Sequence, residues 1–144
     1  MNPAPAIVLD ANILIRAVLG KRVRNLIETY AEHVRFFTPD ACVSSAQEYL
    51  PDLARRRGWP EDEGLLLLAR VCDWIEIVDS ALYVHCEEDA RARMVGRDED
   101  DWPVAAVALA LDCPIWTEDR DFFGTGIATW TTDRVDLTEG MAGD

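Results

Sequence analysis

Ala6-Ile7-Val8-Leu9-Asp10 (residues 6–10) decides the fold: four consecutive apolar residues closed by an aspartate. A continuous apolar run of this length is the pattern of a strand buried on both faces of a parallel sheet, because a half-exposed strand would alternate. The pattern recurs downstream. Val34 to Thr38 reads as a second strand stopped by Pro39, and Trp74 to Val78 as a third. Pro114-Ile115-Trp116-Thr117 reads as a fourth, and Ile127 to Thr131 as a fifth at the edge. Helical spacing fills the intervals. Asn12 to Leu19 and Arg22 to Glu32 are separated by Gly20. A helix capped by Asp40 runs through Glu48 to Arg57, with Pro51 as a possible kink and Gly58 as its stop signal. Glu61 to Val71 and Ala81 to Met94 follow, and Trp102-Pro103 opens an almost wholly apolar helix, Val104 to Leu111. Strands alternating with helices predict an α/β fold with a mostly parallel sheet of about five strands, helices on both sides, and a ligand site beyond the carboxyl ends of the strands.

The bulk properties bound the rest. A chain of 144 residues, 49% of them apolar, matches one domain. Residues 137–144 read as a loosely ordered tail. No apolar run approaches the roughly 20 residues of a membrane span, and Met1-Asn2-Pro3-Ala4-Pro5 lacks the marks of a signal peptide, so a cytoplasmic protein with no membrane partner is expected. Cys42, Cys72, Cys86 and Cys113 form no C-x-x-C pair and are expected as free thiols, with His85-Cys86 an ordinary piece of helix. A net charge of -13, from 27 acids against 14 bases, runs against the basic surface usual for phosphate-gripping proteins. Most of those acids serve solubility. Four occupy positions that solubility does not explain.

Asp10 ends the first strand and Asp119 follows the fourth. In a parallel sheet such ends share one rim, so neighbouring strands would bring these acids together. Glu48, on the helix after the second strand, and Asp101, at the start of the helix feeding the fourth, could face the same crevice. Crowded carboxylates repel unless protonated or neutralised by a cation, and a hard divalent ion such as Mg2+ or Mn2+ suits oxygen ligands. Each acid also has a plainer role. Asp10 and Asp101 stand where helix caps are wanted, Asp119 and Asp121 could shape a turn, and Glu48 alone would be a solvated helix residue.

With those residues in place, the chain resembles the PIN-domain family, in particular the VapC-type toxins of toxin-antitoxin pairs. The resemblance rests on residues 7–15 (Ile7-Val8-Leu9-Asp10-Ala11-Asn12-Ile13-Leu14-Ile15), 45–50 around Glu48, 100–106 around Asp101 and 115–122 (Ile115-Trp116-Thr117-Glu118-Asp119-Arg120-Asp121-Phe122). It implies a three-layer α/β/α sandwich with the first and fourth strands adjacent. The family's acids fall on Asp10, Glu48, Asp101 and Asp119, with Asp121 a close candidate for a metal or supporting role, and Asn12 and Thr117 at small polar positions that orient the first and fourth acids. Asp98 and Asp100 compete with Asp101, which is preferred because it directly precedes the helix. The implied activity is hydrolysis of RNA by one or two divalent ions held by Asp10, Asp101 and Asp119, leaving 5'-phosphate and 3'-hydroxyl ends. A basic antitoxin and a homodimer are the implied protein partners.

For RNA contacts the candidates are Lys21-Arg22-Arg24 and Arg55-Arg56-Arg57, either of which could equally be a solvated helix end. Trp102 and Trp116 could stack on a base, though packing is the commoner use. Leu65 to Ala69 could be core or interface. A non-cleaving module that binds RNA or a partner's arginine, and a nuclease outside any toxin-antitoxin pair, are the competing readings. A dinucleotide fold would need glycines after the first strand, where Asp10-Ala11-Asn12 stands. Haloacid dehalogenase-type enzymes want an aspartate at Asn12, and a receiver domain wants a late lysine that this chain lacks.

Overall fold

A computed structural model describes residues 4–135; the tail expected to be loosely ordered lies outside them. β1 (Ala6–Leu9) is fully shut off from water at Ile7, Val8 and Leu9. It has that environment because it is the central strand. The order is β3-β2-β1-β4-β5, all parallel, where β2 is Arg35–Pro39, β3 Ile75–Val78, β4 Ile115–Trp116 and β5 Thr129–Trp130. The chain steps outward from β1 to β3, then returns past β1 to β4.

That reversal fixes the layers. Parallel crossovers are right-handed, so helices made before and after the reversal cover opposite faces. α1 (Ala11–Leu19), α2 (Arg22–Tyr30), α3 (Asp40–Arg56) and α4 (Glu63–Cys72) precede it, and α1 packs on both α3 and α4. α5 (Ser80–Tyr83), α6 (Glu87–Arg93) and α7 (Trp102–Leu111) follow it, and α7 packs on α5 and α6. The result is a three-layer α/β/α sandwich. α7 has no polar face to offer water, and Pro103 to Ala108 are all buried. Trp116 is fully buried, with its indole N–H donating to the Thr132 hydroxyl at 3.1 Å, which excludes it as a base-stacking surface. Trp102 packs edge-on against Tyr83 and lies under Arg91.

The local stop signals operate largely as read. Gly20 caps α1 through a bond to the Arg16 carbonyl, and Gly58, at φ +75, takes the left-handed turn that a side chain would resist after α3. α3 runs on through Pro51 as one helix. Two expectations need correction. Asp40 does not cap α3; that position is Pro39, and the Asp40 carboxylate instead accepts from Ser80 N–H at 3.1 Å and Tyr83 O–H at 2.6 Å, pinning the start of α5. The single helix expected from Ala81 to Met94 is broken into α5, a 3-10 turn at Val84–Cys86 that contains His85, and α6. The break falls at Tyr83, whose ring is buried and whose hydroxyl is held by Asp40, so a tertiary anchor overrides the helical period. All four cysteines are free, Cys42 buried and the others partly so. Among the described residues no helix is long and apolar enough to cross a membrane. In α4, Leu68 is buried while Leu65 and Leu66 are exposed, so that apolar run serves the core on one side only.

Candidate metal centre

β1 and β4 are hydrogen-bonded neighbours in register Val8 to Ile115 and Leu9 to Trp116. Strand order reverses between them, and in open α/β sheets the crevice beyond such a point is where ligands sit. Both strands run there directly into polar residues, Asp10 after β1 and Thr117 after β4. Thr38 on β2 donates its hydroxyl to the Leu9 carbonyl at 2.8 Å, tying down the last residue of β1 before the rim.

Asp10 follows directly. It is buried, one carboxylate oxygen accepting from Ile13 N–H at 2.9 Å as the cap of α1, and the other accepting from the Thr117 hydroxyl. Thr117 in turn accepts from Asp119 N–H at 2.9 Å. One fully buried hydroxyl therefore couples the ends of β1 and β4. Beyond it the carboxylate of Asp119 accepts from Asp121 N–H at 2.9 Å, and that of Asp121 accepts from Asp98 N–H at 3.0 Å. Carboxylate oxygens of Asp101, Asp119 and Asp121 all lie within 4.8 Å of one another, each residue partly buried.

The charge-run ambiguity resolves on geometry. Asp98 and Asp100 are exposed, and Asp98 caps the short turn before α7 by accepting from Asp100 N–H. Asp101 occupies the cap position of α7 but its side chain makes no capping bond, contrary to the capping role its position suggested. Its oxygens are turned to the acid cluster instead.

Electrostatics record the crowding. Burial, opposed by the Thr117 and Ile13 hydrogen bonds and reinforced by Asp119, pushes the Asp10 carboxyl up to about 6. Burial and the neighbouring charges of Asp98, Asp119 and Asp10 push Asp101 up to about 7. These are hard oxygen donors, partly desolvated, carrying more negative charge than the site neutralises itself. That donor set fits a divalent cation such as Mg2+ or Mn2+, which Asp101, Asp119 and Asp121 would hold with Asp10 at the wall. An aspartate that titrates higher folded than unfolded binds its proton more tightly when folded, so stability in EDTA should rise as pH falls from about 8 to about 5. Added Mn2+ should raise the melting temperature at pH about 8 and do less at pH about 5, because protons compete for the ligands. Thermal melts at the two pH values check both signs.

Other candidates fare differently. Glu48 is exposed, on a helix that turns Cys42, Ala46, Leu50 and Ala54 inward, and it is not among the charges acting most on Asp10 or Asp101. Its position two residues off that buried stripe points it away from the core side. Asn12 is exposed on the first turn of α1, and the hydrogen bonds to Asp10 come from Ile13 and Thr117 rather than from it. Among the basic candidates, Arg24 donates to the Ala17 and Val18 carbonyls at the end of α1, and Arg55 and Arg56 both pair with Asp52. Arg22 pairs with exposed Asp133. The sequence reading missed Arg97, which donates to the carbonyls of Asp121 and Phe123, and Arg93, which donates to that of Thr125. Together they clamp the loop carrying Asp119 and Asp121. Their sequence signal was slight: both precede the acid run that starts at Asp98.

Comparison with known proteins places this geometry. The model of a family described as "PIN domain" matches residues 8–139. No curated protein matches the chain. Among solved structures, VapBC2 from Rickettsia felis, bound to a promoter DNA fragment, is similar at TM-score 0.64 and 15% identity, over 88% of this chain and 98% of that one. PAE2754 from Pyrobaculum aerophilum is similar at TM-score 0.64 and 16% identity, over 90% and 85%. A toxin-antitoxin complex from Klebsiella pneumoniae is similar at TM-score 0.58 and 16% identity, over 90% and 99%. At these identities the likeness is one of fold.

Proposed function

The chain belongs to the PIN-domain family, and from that premise we propose that it is a divalent-metal-dependent endoribonuclease, the toxin of a toxin-antitoxin pair. The observation that carries the reading is the gathering of Asp101, Asp119 and Asp121 within 4.8 Å at the rim where Asp10 is held buried. Mg2+ or Mn2+ held there would supply positive charge to the phosphoryl oxygens and the leaving oxygen of a phosphodiester.

The chain's own residues do the rest. Thr117 and Ile13 N–H fix both oxygens of Asp10, so its remaining lone pairs point in set directions. Asp119 is held through its own N–H on Thr117, and Asp121 through Asp98, so the ligands are placed before substrate arrives. Glu48, exposed on α3 and not among the charges that act most on Asp10 or Asp101, has no step in this reading. The products are a 5'-phosphate and a 3'-hydroxyl end. A basic antitoxin segment would complement the charge of -13, and the exposed apolar residues Leu65 and Leu66 would contribute to a homodimer.

The test is cleavage of a mixed-sequence RNA by purified, partner-free protein. Internal cuts that require Mn2+ or Mg2+ and stop in EDTA support the reading. Protein that melts as a folded domain yet cuts nothing with either metal refutes it.

A further inference from the structure

Beside the acid cluster lies a cavity of about 320 Å³ lined by Arg16 from α1, Lys21 from the turn after it, Arg22 at the start of α2 and Arg57 at the end of α3, with Glu118, Thr132 and Asp133, the ion-pair partner of Arg22, also in its wall. Resting on the nuclease reading, we propose that this cavity is the seat of an RNA backbone phosphate next to the one that is cut.

Four observations lead there. First, among the described residues Arg16, Lys21 and Arg57 enter no ion pair and their side chains make no hydrogen bond, in a chain with 27 acids to 14 bases. Elsewhere Arg35, Arg55, Arg56, Arg91 and Arg93 each have a carboxylate partner, and Arg70, Arg120 and Arg134, which have none among the described residues, do not line the cavity. Three cations converging without one repel each other, and a polyvalent anion relieves that repulsion. Second, the Thr132 hydroxyl accepts from Trp116 N–H, which leaves its own proton to donate. Third, the two carboxylates in the lining fall short of its four cations: Asp133 is paired with Arg22, and Glu118, whose carboxylate accepts from Thr132 N–H at 2.6 Å, is left against Arg16, Lys21 and Arg57.

Fourth, the cavity adjoins the acid cluster. Glu118 stands between Thr117 and Asp119 on the same loop, and Arg16 carries the positive charge that acts on Asp10. A ligand that spans both places needs one phosphate for a metal and another for guanidinium and ammonium groups. A nucleic-acid backbone has that repeat at fixed spacing; an acidic protein segment offers carboxylates to both places, and the peptide arm of the experiment separates the two. The location also answers how so acidic a chain could admit RNA, because the approach is local and is steered by one basic pocket.

The experiment measures binding without cutting. A fluorescein-labelled single-stranded RNA is titrated with wild type and with Lys21→Ala/Arg57→Ala in EDTA across a range of KCl, by anisotropy. Arg16 is left in place because its charge also acts on Asp10. Both substituted residues are exposed, and melting curves check the fold. The double variant should bind about ten-fold more weakly at low salt, with the slope of log affinity against log salt reduced by about 0.7 for each phosphate-binding charge removed. Lys21→Arg/Arg57→Lys should keep most of both. In the cleavage assay the double alanine variant should show raised KM with kcat within about two-fold. An unchanged slope and affinity, or wild type that binds no RNA, overturns the proposal. So does a double variant that keeps RNA but loses a polyglutamate peptide, which assigns the cavity to a protein partner. Wild type that binds RNA through these residues but never cuts it refutes the nuclease reading and leaves the cavity standing.

Discussion

Asp10→Asn should lower the metal-dependent rate of RNA cleavage by about a thousand-fold, a loss of about 4 kcal/mol of transition-state stabilisation, while leaving the fold intact. Asparagine caps a helix as well as aspartate does, so the bond from Ile13 N–H survives. Its amide can donate to Thr117, which already accepts from Asp119 N–H and has a second lone pair. What disappears is the charge. Because burial holds the Asp10 carboxyl up at about 6, the metal-free variant should melt at or above the wild-type temperature at pH about 8, and should gain less from Mn2+. Loss of activity with retained or increased stability is the signature of a functional acid. Equal loss of both would mark a structural one.

Thr117→Val is the second large effect, and it acts through position. Valine matches threonine in shape, so no cavity opens. The buried Asp10 carboxylate nevertheless loses its hydroxyl donor, and Asp119 N–H loses its acceptor. Leaving two such groups unpaired should cost about 2–4 kcal/mol in urea unfolding. Cleavage should fall about ten- to a hundred-fold through kcat, because the link between the first and fourth acids is cut. Thr117→Ser keeps the hydroxyl and should recover most of the rate, which separates the hydrogen bonds from the lost methyl packing.

The strands were legible because burial on both faces leaves a signal that needs no partner to be read. Val8-Leu9-Asp10 and Ile115-Trp116-Thr117 show where each strand ends and which acid follows. Their adjacency was not in the residues; it came with the family resemblance, and the pairing of Leu9 with Trp116 carries it physically. Tertiary anchors were hidden. Nothing near Tyr83 announces that Asp40, over forty positions earlier, will hold its hydroxyl and break the helix. Asp101 and Asp121 show the same limit in the site: neither the free carboxylate at a cap position nor the hold of Asp98 N–H on Asp121 has a local sequence mark.

Cations were read least well, for a reason that spacing partly reveals. Asp52 lies three and four residues before Arg55 and Arg56, so their pairing was available as a helical i,i+3 and i,i+4 pattern. The convergence of Arg16, Lys21 and Arg57 was not, because it depends on how α1 packs against α3.

Whether the acids at the ends of β1 and β4 hold a divalent cation is open to direct observation. Crystals grown with Mn2+ and measured at the manganese absorption edge test it most directly. Anomalous density is expected in contact with the carboxylates of Asp101 and Asp119, beside Asp10 or Asp121, and none there in Asp101→Asn crystals. Manganese bound only elsewhere, or an empty cluster at millimolar Mn2+ and pH 8, would contradict it.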